Sequence, residues 1–538
     1  MKTVIVGGVA GGMSAATRLR RLDESAEIIV FERSGNVSFA NCGLPYFVGG
    51  VIEERGALLL QTPASLKARF ELDVRTGHEV LSIDRPGKSV RVRNLATGAE
   101  FDETYDALVL SPGAAPFVPD FPGADQALRL RNIEDVDAMA AAVAAQPPSG
   151  PVVVLGAGFI GLEMAENLTH RGLKVSVVEL ADQVLAPLDP EMATLVQHRL
   201  EANGVSVRTG VQVTSFVEGV ATLSDGSALP AGLLVAAIGV RPESSLARDA
   251  GLDVNSRGAI LVDAHQRTSD PAIYAVGDAV AKVDAIGGGE AMTPLASPAN
   301  RHGRLVADVI AGRDVSAAPV LGTAIVGVFG LQAAVTGWNE KRAKAEGRPV
   351  RIIHTHPANH AGYYPGSQGM SLKLVIDAAT DAILGAQGVG ENGVDKRIDV
   401  IATAMRGGLR ASDLADLELA YAPQFGSAKD PVNMLGYIAE NLATGTTETI
   451  QWHELPDELA KGTQLIDVRT PAEFERGGIP GAVNIPLDDL RLRLAEVEDG
   501  AIVHCQVGLR GHIAARILNQ HGLRARNLDG GYRTWAHS

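Results

Sequence analysis

Short, wholly apolar runs that break abruptly into glycine set the pattern of this chain, and two of three such units pass straight from strand to glycine turn to helix. Thr3 to Val6 passes into Gly7-Gly8-Val9-Ala10-Gly11-Gly12 and an alanine-rich stretch with Arg18, Arg20 and Arg21, which predicts a strand, a turn and a helix. Glu27 to Phe31 then predicts a second strand, ending at Glu32. Val152 to Leu155 passes into Gly156-Ala157-Gly158-Phe159-Ile160-Gly161, a helix to about His170 and a strand from Lys174 to Val178 ending at Glu179. Each is a βαβ unit, so parallel sheets covered by helices are expected. After the polar stretch Thr446-Thr447-Glu448-Thr449, expected to be a linker, a strand from Gln464 to Asp467, a helix from Pro471, a strand from Ala501 to His504 and a helix from Gly511 make a smaller α/β unit. Leu321 to Leu442 is rich in strands and Gly and Pro turns without a nucleotide signature, which suits an interface or accessory domain.

The length of 538 residues, at roughly 150 per domain, predicts three or four domains. Lys plus Arg number 48 against 63 Asp plus Glu, a net charge of −15, which argues against a nucleic-acid partner because such proteins present broad basic faces. An anionic ligand has to find a local basic pocket instead. The only cysteines are Cys42 and Cys505, too few and too distant for a disulfide framework, so a reducing compartment is expected. The first residues enter a strand without the regions of a signal peptide. The longest smooth apolar stretch, Ala231 to Val240, is about half a bilayer span, so the expectation is a cytoplasmic protein without membrane contact.

A G-x-G-x-x-G run that follows a strand, opens a helix and has an acid at the end of the next strand is a dinucleotide fingerprint. In the second unit Gly156 allows the tight turn, Gly158 lets backbone amides approach a pyrophosphate, and Gly161 lets helix and strand pack closely. Glu179 would accept from a ribose hydroxyl, and its charge repels a 2′-phosphate, which favours NADH over NADPH. A glycine-rich turn in a nucleotide-free sheet is the bland alternative. In the first unit Val9 stands where the middle glycine belongs, and the support comes from Glu32 and from the distant segment Thr268-Ser269-Asp270-Pro271-Ala272-Ile273-Tyr274-Ala275-Val276-Gly277-Asp278.

That combination resembles the two-dinucleotide-fold flavoprotein disulfide reductases, in which the Asp of such a segment reaches the ribityl chain of FAD. Ser111-Pro112-Gly113 and Gly239-Val240-Arg241-Pro242 resemble the paired chain-crossing turns of that family, and the likeness spans about residues 1 to 440. It implies FAD held by Gly7, Gly8, Ala10, Gly11, Gly12, Glu32, Arg33, Asn41, Ser111, Gly113 and Asp278, and NADH held by Gly156, Gly158, Phe159, Ile160, Gly161, Glu179 and Gly239. It also implies an α/β chain divided into FAD-binding residues 1–110 and 266–320, a connecting segment 111–150, a second Rossmann-like, NAD-binding domain 151–265 and an α+β dimerisation domain 321–445.

Cys42 lies in Ser38-Phe39-Ala40-Asn41-Cys42-Gly43-Leu44-Pro45-Tyr46 with no second cysteine nearby. A lone thiolate beside a flavin can attack a disulfide or persulfide, and that chemistry calls for a lowered thiol pKa, since an ordinary cysteine is only about 3% thiolate at pH 7. A cysteine acting as a small buried hydrophobe is the other possibility. The run resembles the single-cysteine subgroup, coenzyme A-disulfide reductases with NADH oxidases and peroxidases as cousins. The cousins use the cysteine as a sulfenic acid and usually carry a histidine in the first glycine loop, where this chain has Val9-Ala10-Gly11. The resemblance implies coenzyme A contacts from Ser38 and Asn41, with Arg18 and Arg21, spaced i,i+3, as candidates for its phosphates and Lys67 as a further one; solvated surface arginines are the alternative. It also implies a homodimer in which Tyr421 and either Tyr363 or Tyr364 serve the partner's active site, where a phenol beside the departing sulfur stabilises a thiolate or donates a proton. His354, His356 and His360 have no carboxylate or thiol at ligand spacing, so they are expected to be structural, and no metal is expected.

Cys505 ends a strand and opens Cys505-Gln506-Val507-Gly508-Leu509-Arg510-Gly511-His512. Backbone amides and the positive end of the following helix stabilise a thiolate or persulfide in such a turn. Its C-x4-R spacing, ending at Arg510, is one residue tighter than the C-x5-R of phosphatases and suits sulfur. With Ile466-Asp467-Val468-Arg469, Glu473-Phe474, Gly478 to Pro486 and Asp529-Gly530-Gly531-Tyr532, residues 450–538 resemble a single-domain rhodanese. Gln506 replaces a basic residue common in thiosulfate-using rhodaneses, which disfavours thiosulfate as donor. A rhodanese fold kept for interaction alone is the alternative. As a whole the chain resembles coenzyme A-disulfide reductase–rhodanese fusions that reduce persulfide and polysulfide with NADH. The expected relay has Cys505 passing sulfane sulfur to coenzyme A and Cys42 reducing the product; an NADH oxidase or peroxidase, or a non-catalytic sulfur sensor, is the competing reading.

Overall fold

In the computed structural model, which describes all 538 residues, the chain divides into two units: Met1–Asp182 with Gly204–Gly322, and Gln183–Asn203 with Thr323–Ser538.

The first unit is built on two parallel sheets. The apolar run Lys2–Val6 becomes the middle strand of one, in the order Ile273–Ala275, Ala107–Leu110, Lys2–Val6, Glu27–Glu32, Asp73–Thr76. Its side chains alternate between two buried faces, Ile5 and Val30 on one and Val4, Ile29 and Phe31 on the other. Burial on both faces is why these strands are continuously apolar. The helices Ala10–Leu22 and Ala296–Ile310 pack on the first face. The second sheet runs Ser206–Arg208, Lys174–Val178, Pro151–Leu155, Leu233–Ala236. The two turns read as chain crossings do pair: Ala114–Pro116 lies antiparallel to Val240–Pro242.

The second unit contains an antiparallel five-stranded sheet, Ala324–Val328, Leu331–Gly337, Ile383–Gly390, Met370–Asp377 and Val350–Thr355 in spatial order, with the helices Val394–Gly407 and Pro431–Ala443 on its apolar face. It also contains a parallel five-stranded sheet, Thr449–Ile450, Ala525–Leu528, Ala501–His504, Leu465–Asp467 and Val483–Asn484.

Two expectations are corrected. Thr449 is no linker residue, because it pairs with Asn527 as an edge strand. The helix expected from Gly511 begins at Leu509, so Arg510 lies in its first turn. By its contacts the stretch Gln183–Asn203 groups with the second unit, where the helix Pro190–Ala202 buries Glu191, Val196 and Leu200.

Candidate active sites

The two glycine turns of the first unit share one geometry. Gly7 has φ +101° and Gly156 φ +96°, conformations that favour glycine. A Cβ on Gly12 would stand 2.0 Å from Gly7 O, and one on Gly161 would stand 2.0 Å from Gly156 O, so in both turns the helix packs directly on the turn backbone. The acids are held alike. Glu32 accepts from the Gly8 and Ser34 amides, both at 2.8 Å, and Glu179 accepts from Ala157 at 2.7 Å and Ala181 at 2.8 Å. Nothing stands within 4 Å of a Cβ built on Gly158, Gly113 or Gly239, leaving open space where a pyrophosphate or ring must approach. Asp278 has its Oδ1 buried without a partner, a state that calls for a donor from outside the protein. The Ser111 hydroxyl lies 2.9 Å from where a Gly11 Cβ would stand, and Ala10 opens the helix. These residues fit two dinucleotides. Arg33 is exposed and faces Glu79 and Glu243 at 3.6 and 3.5 Å. Phe159 and Ile160 form the first turn of the helix Phe159–His170, with Ile160 exposed.

Cys42 sits in the one-turn helix Asn41–Gly43 ahead of Leu44–Gly49 and is exposed, as is Asn41. Ser38, with φ +48°, brings the chain past the first glycine turn, its amide donating to Gly8 O at 2.9 Å. The protein's own groups do not lower the thiol's pKa. Although the residue reaches the surface, the protein around its sulfur displaces water and pushes the pKa up first, and the charges of Glu163 and Asp278 add to the rise. Tyr46 donates to Glu163 Oε1 at 3.0 Å, and burial holds the Glu163 carboxyl above the usual range. Tyr46 and Glu163 were not among the sequence candidates; the signal for Glu163 was its place two residues after Gly161 on the helix that opens the second turn.

The arginine pair is not assembled as a clamp. Arg18 is bound to Asp308 at 2.7 Å, a carboxylate that also meets Arg313, whereas Arg21 is exposed. Lys67 pairs with Glu71 on the surface. In the second unit the Tyr363 and Tyr421 hydroxyls lie 3.2 Å apart, and Tyr363 is 78% exposed. Tyr364 instead packs edge-on against His360.

Cys505 is buried at the end of its strand. The loop after it is tied to the Gly530–Gly531 turn: Tyr532 N donates to Cys505 O at 2.8 Å, Arg533 N to Gln506 O at 2.9 Å, and a Cβ on Gly531 would come within 2.4 Å of Cys505 O. Asn527 Nδ2 donates to Gly508 O at 3.2 Å. Arg510 makes a two-armed ion pair with Glu473, at 2.8 and 2.7 Å. Buried Arg469 grips Asp467, lies over the Tyr532 ring and donates to Gln506 Oε1 at 3.1 Å.

The histidines sit among partners that local spacing did not reveal. His354 is buried between Asp529, 2.7 Å from Nδ1, and Glu191, 2.9 Å from Nε2, carboxylates far from it in sequence rather than at ligand spacing. Burial disfavours its charge, but the two hydrogen bonds outweigh burial and raise its pKa to about 9. His356, between Ser371 and Thr534, is held neutral by burial. Asp189, Glu191 and Glu340 converge as a set of oxygen donors, and the fully buried Lys373 ammonium stands among them at 3.0, 2.5 and 2.6 Å.

Residues 1–307 match the family "Pyridine nucleotide-disulphide oxidoreductase", residues 323–431 its dimerisation domain, and residues 451–538 the rhodanese-like domain. A coenzyme A disulfide reductase of Staphylococcus haemolyticus is 35% identical over 442 residues, covering 82% of this chain and 100% of that protein. The reduced Bacillus anthracis CoADR-RHD structure matches with TM-score 0.98 and 47% identity, over 100% of this chain and 98% of that one. An NAD-dependent persulfide reductase from A. fulgidus matches with TM-score 0.93 and 36% identity, over 99% and 100%. The family uses FAD and NAD(H), in keeping with the two turns. No helix is long and apolar enough to cross a membrane. With its family match over more than half the chain and relatives matched along their whole length, the chain belongs to the pyridine nucleotide-disulphide oxidoreductases, in a form that carries a C-terminal rhodanese-like domain.

Proposed function

We propose that this chain is an NADH-dependent flavoprotein reductase that cleaves the sulfur–sulfur bond of coenzyme A persulfide, and of coenzyme A disulfide, at Cys42, with Cys505 delivering sulfane sulfur. The observation that carries the reading is the first unit itself: two dinucleotide turns, each with its acid clamp, and one exposed thiol with no second cysteine to close a dithiol pair. A lone thiol must form its disulfide with the substrate.

Cys42 Sγ attacks the coenzyme A sulfur of the persulfide. The new bond joins Cys42 to coenzyme A, the persulfide bond breaks, and hydrosulfide leaves with the electron pair. When bound, FAD supplies the path by which two electrons from NADH return that mixed disulfide to two thiolates. Glu163 and Asp278 oppose charge on the sulfur, so the resting thiol keeps its proton, and Tyr46 fixes the carboxylate it faces. The hydrogen-bonded Tyr363 and Tyr421 are assigned to the departing sulfur of the partner subunit in a homodimer, which the dimerisation domain supports. Tyr363 is favoured over Tyr364 because it is the one paired with Tyr421. Ser38, Asn41, Arg18, Arg21 and Lys67 are retained as coenzyme A candidates, of which Arg21, Asn41 and Lys67 are exposed. The reducing cytoplasm suits a protein whose two cysteines are both free.

The test is Cys42→Ser in the full-length, flavin-loaded protein. NADH should still reduce the flavin, while hydrosulfide release from coenzyme A persulfide stops; turnover surviving the change would refute the scheme. NADH consumption with oxygen, peroxide, coenzyme A disulfide and polysulfide compared in one assay separates this reading from an oxidase or peroxidase, and negligible turnover with all four would favour a sensor.

A further inference from the structure

We propose that Glu473 sets the donor specificity of the Cys505 loop: by cancelling the charge of Arg510 it steers the loop away from doubly charged thiosulfate and toward sulfane sulfur carried on an organic thiol. This rests on the sulfur-carrier role of Cys505 proposed above.

Arg510 is the cation that closes the C-x4-R loop opened by Cys505, and it lies in the first turn of the helix Leu509–Gln520. Both of its terminal nitrogens donate to Glu473, at 2.8 and 2.7 Å. Glu473 is itself immobilised. It is the third residue of the helix Pro471–Glu475, and its Oε2 accepts from the Thr470 amide at 3.0 Å and the Thr470 hydroxyl at 2.9 Å. The Arg510 hydrogen bond above all holds its carboxyl down at about 2, so it is ionised at any working pH. The other nearby guanidinium, Arg469, is matched by Asp467 in the same two-armed manner. Gln506, which follows the cysteine, is neutral, and its side-chain oxygen already accepts from Arg469. His504 is held neutral by burial. Of the groups named here, the two guanidiniums, Arg510 and Arg469, are thus each paired with a carboxylate, and Gln506 and His504 add no charge.

Uptake from thiosulfate forms a Cys505 Sγ–S bond, breaks the donor's sulfur–sulfur bond and expels sulfite with the electron pair, so two negative charges must approach and a dianion must leave. Uptake from an organic persulfide, R–S–SH, forms the same bond and expels R–S⁻, a single charge on a large group. Opposed charges that are already paired offer a dianion little. Beside Arg510, Leu509 is 55% exposed and Ile513, one turn on, is 39% exposed, an apolar surface that suits an organic carrier.

The test uses the full-length holoprotein with thiosulfate or glutathione persulfide as donor and cyanide as acceptor, reading thiocyanate. Glu473→Gln should shift the ratio of kcat/KM for thiosulfate over glutathione persulfide upward by about tenfold, the change that ~1.4 kcal/mol produces. The gain should appear in KM for thiosulfate and shrink as salt screens the freed Arg510. An unchanged or lowered ratio, or a gain insensitive to salt, overturns the proposal. Should loss of the Thr470–Glu473 cap prevent folding, Gln506→Lys adds a cation without touching the cap; the same shift is expected, and its absence overturns the proposal equally. Sulfur uptake from neither donor by the wild type refutes the carrier role of Cys505 itself, whereas efficient wild-type use of thiosulfate overturns only the specificity claim.

Discussion

Replacing His354 with glutamine removes a buried charge while leaving a polar side chain between Asp529 and Glu191. His354 rises from its ordinary 6.5 to about 9 because its two hydrogen bonds outweigh burial, and a rise of that size is worth about 3 kcal/mol in favour of the charged folded form. The sign follows from linkage: a raised pKa gives stability that is fully present below 6.5 and is lost as pH rises through about 9. At pH 7.5 about 2 kcal/mol should remain, and by pH 10 almost nothing. The three tryptophans, Trp338, Trp452 and Trp535, all lie in the second unit, so their fluorescence follows its unfolding alone. Urea titrations of both proteins between pH 6 and 10 should therefore show a stability gap that closes through pH 9. A gap that stays flat, or widens with pH, would mean that His354 is neutral in the folded protein and that the ion-pair description is wrong.

Lys373→Met should be more damaging than any pH change, because it leaves three buried carboxylates facing one another; breaking a buried ion pair from one side costs about 3–5 kcal/mol, readable in the same titrations, and a loss below about 1 kcal/mol would contradict the geometry. Glu179→Ala removes the charge expected to repel a 2′-phosphate, so the NADPH-to-NADH ratio of kcat/KM should rise by about tenfold or more; an unchanged ratio would remove Glu179 from cofactor selection. Tyr421→Phe should slow persulfide turnover by about 10²-fold, the low end for a lost proton donor, with flavin reduction by NADH unaffected; full turnover would reduce the tyrosine pair to packing.

The βαβ units were legible because everything that makes them is local: an apolar strand, a glycine turn and an acid within 30 residues, from Thr3 to Glu32 and from Val152 to Glu179. The parallel sheets appeared where the apolar runs put them, and Lys174–Val178 matched to the residue. Val9 broke the motif without breaking the turn, since Gly7 and Gly12 alone supply the close packing. What escaped was non-local. His354 looked partnerless because its carboxylates lie 163 and 175 residues away in sequence. Thr449 looked like a linker because its strand exists only beside Asn527. For Cys42, residue type indicated the chemistry but not the electrostatics, which depend on Glu163 and Asp278 brought in from other elements.

The excursion Gln183–Asn203 has a consequence for dissection of the protein. Because that stretch leaves the first unit, completes the second and returns, a cut at the seam near residue 322 does not yield two whole pieces. A fragment of residues 323–538 would keep Lys373 with Glu340 but lose Asp189 and Glu191, and His354 would keep Asp529 alone. The carboxyl-terminal part is therefore finished by residues made long before it on the ribosome, and transplanting it onto another reductase means carrying twenty-one early residues along with it.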